Sequence, residues 1–190
     1  MHVFKKKYFL IIENTKDIDL RNIKKHNKFI IIYRNGKNDE NPQQLLKFRN
    51  RCKLKNIKFF VANNVKLGTF LKSDGIYISS YNKDLKSLNL KKSKFDLIGS
   101  AHNHKEIFMK KKQGCSLILL SKLFFVDYKK KEKFLGVIKF NKYLSLYNMR
   151  IVPLGGIKVS NLNKLKNINS DGFAVLSEVK KKPAIFDRLF

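Results

Sequence analysis

The stretch RIVPLGGIKVSNLNKLKNINSDGFAVLSEV, residues 150 to 179, decides the fold hypothesis for this chain. An apolar run leads into a Gly-Gly pair, a segment with helix-like spacing follows, and a second apolar run ends at a serine. Continuous apolar runs, in contrast to alternating ones, are typical of strands that are buried on both faces of a parallel sheet. The stretch therefore predicts two parallel strands joined by a helical connection.

The same layout recurs along the whole chain. Several segments between the apolar runs have helical spacing, and Asn41 before Pro42 is typical of a helix start. Repeated strand–helix units over residues 1–190 predict a single α/β domain, a compact (β/α)8 TIM barrel. A doubly wound open sheet is the alternative architecture. The eight predicted strands are YFLIIE (8–13), FIIIYR (29–34), KFFVAN (58–63), GIYIS (75–79), FDLIGSA (95–101), SLILLS (116–121), RIVPLG (150–155) and GFAVLS (172–177).

The charge of the chain is strongly positive, with 42 lysines and arginines against 14 acidic residues and a formal net charge of +28. Such a charge favours nucleic-acid binding when the cations are clustered, because they then replace the counterions of the phosphates. Here the lysines are spread over the predicted helices, as in KFRNRCKLK, KKKQ and NKLKN. We interpret these runs as solvated helix faces. Nucleic-acid binding is kept as an alternative, without a zinc-finger or RNP-like motif to support it.

The remaining composition indicates a chain that neither spans a membrane nor carries disulfides. No apolar run reaches the roughly 18 residues of a membrane-spanning helix. The first apolar run, YFLII, stops at Glu13 and is interpreted as a strand, not as a signal sequence. Cys52 and Cys115 have no CxxC or histidine neighbours, so neither a disulfide framework nor a zinc site is predicted. We expect a reducing, cytoplasmic location.

The glycine pair of the opening stretch is interpreted as a phosphate site, with a plain turn as the alternative. Active sites of (β/α)8 barrels lie on the loops after the strands, and phosphates are often held after strands seven and eight. Gly155 and Gly156 follow the seventh predicted strand, where the absence of Cβ atoms lets backbone amides approach a ligand. Ser177 follows the eighth predicted strand in the matching position and adds a hydroxyl.

Four segments, in their order along the chain, resemble the thiamine-phosphate synthase and thiazole tautomerase family. They are FFVANNVKLGTFLKSDGIYIS (59–79), LIGSAHNHKE (97–106), VPLGGI (152–157) and SDGFAVLSEV (170–179). The resemblance implies a compact (β/α)8 barrel and a transferase of thiamine biosynthesis. Its reaction would couple an aminopyrimidine diphosphate to a thiazole phosphate and release pyrophosphate. The implied partners are these phosphorylated thiamine precursors.

The resemblance also implies roles for residues that follow the predicted strands. Arg34, Ser100 and Lys129 fall on positions that contact the diphosphate and stabilise its departure. The family's Mg²⁺-binding acids fall on Asn63 and Asn82, and two neutral amides are poor substitutes for carboxylates on magnesium. The implied thiazole-phosphate site is Gly155, Gly156 and Ser177.

A second reading of the resemblance is a relative that binds or tautomerises a phosphorylated thiazole without releasing pyrophosphate. For this branch we expect a histidine beside the sixth strand, but position 122 is a lysine. His102 and His104 lie near the fifth predicted strand and are weighed as an acid and base against a polar helix entry. Tyr77 is weighed as a residue of the pocket floor against a buried tyrosine with a satisfied hydroxyl. Asp74 and Asp171, each before a glycine, are expected to be turn residues at the far end of the barrel.

Overall fold

Eight parallel strands close into a barrel in the computed structural model, which describes residues 7–23, 26–36, 40–86, 95–126 and 133–176. Neighbouring strands in the sequence are neighbours in the sheet, and β8 pairs with β1 to complete the ring. The predicted (β/α)8 TIM barrel is confirmed, and the open sheet is wrong. The strands are β1 (Lys7–Ile12), β2 (Phe29–Tyr33), β3 (Lys58–Ala62), β4 (Gly75–Ile78), β5 (Asp96–Ala101), β6 (Leu117–Ser121), β7 (Arg150–Leu154) and β8 (Gly172–Val175).

The strands read as continuous apolar runs because both of their faces are buried. On β1, Phe9 and Ile11 point into the barrel, whereas Leu10 and Ile12 point outward to the helical layer. The same alternation around the ring fills the interior with large side chains, among them Phe60 and the other aromatic and aliphatic residues of that cluster. The interior is therefore a packed core, and a ligand of the barrel itself can bind only at its ends.

Four α-helices cover the described part of the barrel: α1 (Pro42–Leu54), α2 (Val65–Phe70), α3 (His104–Lys112) and α4 (Gly136–Leu146). The predicted start of α1 is confirmed, since the side chain of Asn41 accepts a hydrogen bond from the backbone N–H of Gln43 and Pro42 follows it. Helix α3 begins in the same way, with Asn103 accepting from the N–H of Glu106. None of the helices in the described ranges has the length and apolar character needed to cross a membrane.

Two connections use 3-10 turns where the repeated pattern predicts helices. Between β1 and β2 the described residues form short 3-10 turns, and Asn14 and Asp19 cap two of them through their side chains. Between β7 and β8 the segment Val159–Asn167 is 3-10 helix. There Asn161 accepts a hydrogen bond from the N–H of Lys158 and donates to the carbonyl of Gly156. Side-chain bonds of this kind compete with α-helix formation.

The amino-terminal end of the barrel is held by ion pairs. Asp74 accepts a hydrogen bond from the N–H of Phe59 at 2.7 Å and pairs with Arg49 at 3.1 Å. Asp171 pairs with Arg150 at 2.8 Å. The interpretation of both aspartates as turn residues at this end is confirmed. A cavity of about 480 Å³ also lies at this end, and one of about 220 Å³ lies between the segment Val159–Asn167 and the outside of the barrel.

Candidate active site at the barrel mouth

Polar side chains gather at the carboxyl ends of the strands, which we call the mouth. Arg34, Ser79, Ser100 and Ser121 each lie two residues beyond an interior side chain of their strand, so they share its inward direction. The sequence places apolar residues at the inner positions of these four strands and changes to polar ones where they end. Two of the predicted site residues, Arg34 and Ser100, are thereby brought to the same mouth.

Tyr77 joins these two predicted residues from below. Its side chain is 1% exposed inside the barrel, and its hydroxyl is hydrogen-bonded to Ser100 and to Arg34. Burial raises the pKa of Tyr77, while the hydrogen bonds to Ser100 and Arg34 and the charge of Arg34 act in the opposite direction. The tyrosine therefore remains neutral and fixes a cationic group and a hydroxyl at the floor of the mouth.

Asn63 and Asn82, at the positions predicted for metal ligands, also come together. Nδ2 of Asn82 lies 3.3 Å from Oδ1 of Asn63, which also accepts from the N–H of Ser79 at 3.1 Å. Nδ2 of Asn63 donates to the hydroxyls of Ser79 and Tyr81. Asn63 has φ of +54°, a left-handed conformation that asparagine tolerates better than most residues. We call these four residues the amide network.

The amide network does not fit a magnesium ion. Mg²⁺ prefers carboxylate and water oxygens in strict octahedral geometry, and the network offers neutral groups. The oxygen Oδ1 of Asn82 accepts from the N–H of Asp84 at 2.9 Å, and that of Asn63 accepts from two donors. An ion would have to replace these bonds. Within the described ranges, no three His, Cys, Asp or Glu side chains are grouped to hold a metal.

The glycine pair after β7 forms a tight turn against the β6 loop. Gly155 and Gly156 have φ of +93° and +69°, and a Cβ built on Gly156 would lie 2.4 Å from the carbonyl oxygen of Phe125. The packing of the chain against itself is thus one reason for glycine here, besides the predicted phosphate. Lys129 and Ser177, the other two predicted contacts, lie outside the described residues.

The two histidines of the fifth loop have different surroundings. Nδ1 of His102 lies 2.9 Å from Oγ of Ser121, at the end of β6. His104 turns away to the helical layer, where its ring stacks on Tyr143 with centroids 4.2 Å apart and its Nδ1 lies 2.6 Å from the hydroxyl of Tyr147. Sequence reasoning weighed both histidines alike, because the partner of His102 comes from another strand.

A buried lysine supports the loop after β4 and was not predicted. Lys110 is fully buried, and its Nζ donates to the carbonyl of Asn82 at 2.6 Å and to Oε1 of Gln113 at 2.8 Å. Gln113 also donates to the carbonyls of Asn82 and Asp84. Burial lowers the pKa of Lys110. The interpretation of KKKQ as a solvated face is therefore wrong for Lys110, whereas Lys111 and Lys112 are exposed.

Comparison with known proteins agrees with this architecture. A family model described as thiamine monophosphate synthase matches residues 16–179. The chain belongs to the thiamine monophosphate synthase family. The resemblance that the four sequence segments indicated is confirmed.

Curated members of the thiamine monophosphate synthase family show how distant the similarity is. Thiamine-phosphate synthase from Prochlorococcus marinus strain AS9601 is 27% identical over 148 residues, which cover 77% of this chain but only 42% of that protein. Thiamine-phosphate synthase from Clostridioides difficile strain 630 is 24% identical over 149 residues, covering 78% of this chain and 71% of that protein. The chain therefore spans less than half of the Prochlorococcus relative.

A solved structure supports the fold independently. Thiamine phosphate pyrophosphorylase from Pyrococcus furiosus superposes with a TM-score of 0.71 at 15% identity, covering 97% of this chain and 95% of that chain. At this identity the likeness concerns the barrel itself. The roles of individual residues at the mouth have to be argued from their own geometry.

Proposed function

We propose that the protein binds phosphorylated thiamine precursors at the barrel mouth and acts as a transferase of the thiamine-phosphate synthase type. The proposed reaction couples an aminopyrimidine diphosphate to a thiazole phosphate, forms thiamine phosphate and releases pyrophosphate. The single observation that carries this proposal is the cluster of Arg34, Tyr77 and Ser100, which holds a cation and a serine hydroxyl at the floor of the mouth.

The proposed reaction does not require a strong base. When the bond between the pyrimidine methylene carbon and the diphosphate oxygen breaks, negative charge grows on the departing diphosphate, and fixed donors stabilise it. Arg34 supplies a delocalised charge suited to phosphate oxygens, and Ser100 supplies a hydroxyl beside it. Gly155 and Gly156 would hold the thiazole phosphate across the mouth, with Ser177 and Lys129 as further proposed contacts. Because the amide network does not fit magnesium, no step is assigned to a metal.

A turnover assay tests this proposal. Purified protein is incubated with aminopyrimidine diphosphate and thiazole phosphate, with Mg²⁺ and with a chelator, and thiamine phosphate is quantified. We expect product, and we expect Arg34→Ala to lower kcat/KM more than about tenfold because the departing charge loses its fixed cation. Arg51→Ala, which removes an exposed arginine of α1, is the matched control and should leave kcat/KM unchanged.

The magnesium arm separates two versions of the same activity. Product that forms only with Mg²⁺ would mean that Asn63 and Asn82 are tolerated replacements for the expected acids. Equal amounts of product with Mg²⁺ and with chelator would mean that the protein's side chains stabilise the charge of the departing diphosphate. A folded protein that gives no product under either condition contradicts the synthase proposal.

The amide network favours a second candidate, a relative that binds or isomerises a phosphorylated thiazole and releases no pyrophosphate. In the amide network, neutral asparagines stand where carboxylates would bind a metal with the diphosphate, and their side-chain oxygens already accept hydrogen bonds. The turn at Gly155 and Gly156, where a thiazole phosphate would bind, is present. This candidate predicts a thermal shift with thiazole phosphate and none with aminopyrimidine diphosphate. A shift with the diphosphate alone would count against it.

A further inference from the structure

Two neighbouring helices, α3 and α4, carry aromatic rings on the outside of the barrel. His104 is exposed and stacks on Tyr143, with the ring centroids 4.2 Å apart and the planes inclined by 16°. Nδ1 of His104 also lies 2.6 Å from the hydroxyl of Tyr147, whose ring is inclined by 20° to that of Tyr143. These contacts join the two helices and hold three rings in planes that differ by no more than 33°.

A fourth ring lies one turn further along α3. Phe108 follows His104 by four residues, a spacing that places both side chains on the same helix face. Phe108 is 56% exposed, and Nζ of Lys112, four residues further on, lies 4.8 Å from the centroid of its ring. Helix α4 and the residue after it repeat this spacing of cations and rings with Lys139, Tyr143 and Tyr147. We call these six residues the aromatic–basic surface.

The lysines of this surface are not paired with acidic side chains. The two helices contain one acidic residue, Glu106, and its carboxylate accepts from the N–H of His102 at 2.8 Å and from Nδ2 of Asn103 at 2.9 Å. At the amino-terminal end of the barrel, by contrast, three cations are held in ion pairs. Within the described ranges, no acidic side chain pairs with the five exposed lysines of the two helices, which are Lys105, Lys111, Lys112, Lys139 and Lys142. The two helices therefore present a positive charge that an anionic partner can neutralise.

Rings beside unpaired lysines are the combination that binds single-stranded nucleic acid, because bases stack on the rings and phosphates contact the cations. We propose that the aromatic–basic surface binds a single-stranded polynucleotide in this way. A duplex keeps its bases stacked on one another, so only the lysines are available to it. The surface belongs to the helical layer, and this binding goes beyond the reaction proposed for the mouth.

Helix α1 provides matched controls on the same barrel. It exposes Lys47, Arg51 and Lys53, but its phenylalanine, Phe48, is buried. Its face therefore has cations without an exposed ring. Leu54, which is 85% exposed, is the control for an exposed apolar side chain.

Fluorescence anisotropy with a labelled single-stranded RNA of about 12 nucleotides tests the proposal. A duplex of the same sequence and an abasic strand of the same charge are the comparison ligands. We expect wild-type protein to bind the single strand at least about tenfold more tightly than either comparison ligand, because only the single strand offers bases for stacking.

The salt dependence of Kd tests the lysines. Each phosphate contact of a single strand contributes about 0.7 to the slope of log Kd against log salt concentration. Lys112→Ala combined with Lys139→Ala should therefore lower this slope by roughly 1.4. Lys47→Ala combined with Lys53→Ala removes the same charge from α1 and should leave the slope unchanged.

A ring variant separates stacking from charge. We expect Phe108→Ala to raise the Kd of the single strand more than about fivefold and to leave the salt slope unchanged, because a stacking contact is lost and no charge is removed. Leu54→Ala should leave both quantities unchanged. Both side chains are exposed, so neither replacement removes a core contact.

Several results would overturn the proposal. Equal Kd values for the single strand, the duplex and the abasic strand would mean that charge alone is bound. An unchanged Kd in Phe108→Ala, or no binding of the single strand at about 0.15 M salt, would also contradict it. Tighter binding to vesicles that contain phosphatidylserine would identify an anionic membrane as the partner instead. The reaction proposed for the mouth is measured separately by the turnover assay and does not depend on these results.

Discussion

On the β3–β4 side of the mouth the polar side chains bond to one another, whereas on the β5–β6 side His102 bonds to Ser121 and remains exposed. The first side contains the amide network, which Lys110 and Gln113 support from beneath. Buried or half-buried polar groups need partners, and here loops of the same chain supply them. The difference teaches that the polar side chains on one side of the mouth are occupied by contacts within the chain, whereas the other side leaves an imidazole open to solvent.

The largest expected effect comes from removing the support of the first side. We expect Lys110→Met to lower the free energy of unfolding by about 2 kcal/mol, because methionine keeps most of the stem volume but loses the Nζ hydrogen bonds to the carbonyl of Asn82 and to Oε1 of Gln113. Relief of the desolvated charge offsets part of this loss. Urea denaturation of both proteins measures the change.

Lys111→Met is the control for this variant. Lys111 is the exposed neighbour on the same helix, and its replacement should change the free energy of unfolding by less than about 0.5 kcal/mol. Equal effects at both positions would mean that Lys110 is no more important than a surface lysine. The contrast between the two sides of the mouth would then lose its main support.

A second prediction converts the amide network into a charged site. We expect Asn63→Asp combined with Asn82→Asp to lower the free energy of unfolding by about 1–2 kcal/mol, because donors to Ser79 and Tyr81 are lost and two negative charges are brought together. Mg²⁺ should restore this stability, and Mn²⁺ binding should appear by electron paramagnetic resonance.

The control pair is Asn163→Asp with Asn169→Asp, two exposed asparagines that change the net charge equally. It should bind Mn²⁺ no better than the wild type. If the wild type itself binds Mn²⁺ as well as the double variant at Asn63 and Asn82, the amide network is a metal site, and its assignment as a structural element is wrong.

The fold could be predicted from the sequence because every strand is buried on both faces. Runs such as FIIIY at Phe29–Tyr33 and LILLS at Leu117–Ser121 are almost entirely apolar, and every residue in them is buried. The 3-10 segments could not be predicted equally well. Their helical spacing is genuine, but side-chain bonds of residues such as Asn161 decide against an α-helix.

A residue of the candidate site could be predicted only where its position at the end of a single strand was enough to identify it. Arg34 and Ser100 were identified by the resemblance to the family, which matches them to positions at strand ends, and Tyr77 brings the two together. Lys110 and the contact of His102 with Ser121 could not be read from spacing, since their partners come from other strands and loops. One buried lysine in a run of exposed ones leaves no periodic signal.

A smaller effect on the free energy of unfolding is expected at Tyr77, which lies at the floor of the mouth. We expect Tyr77→Phe to lower the free energy of unfolding by about 1 kcal/mol, since Arg34 and Ser100 lose a shared hydrogen-bond partner while the ring volume stays. Weaker fixation of Arg34 should also raise the Kd of aminopyrimidine diphosphate by roughly threefold. Tyr143→Phe, on α4, is the control and should leave the Kd unchanged. An unchanged Kd in Tyr77→Phe would separate Arg34 from phosphate binding.

The pH dependence of stability gives the smallest expected difference and a defined sign. Burial raises the pKa of Tyr77 above its ordinary value of 10.0, so the unfolded chain loses this proton at a lower pH than the folded chain does. The folded state then binds more protons than the unfolded state, and stability falls as pH rises above about 10. The neutral hydroxyl thus contributes fully below that pH and progressively less above it. Urea midpoints at pH 8 and pH 10.5 should therefore fall further in the wild type than in Tyr77→Phe. An equal fall of the urea midpoint in both proteins would mean that the Tyr77 hydroxyl is exposed to solvent. The buried cluster of Tyr77, Arg34 and Ser100 would then not exist.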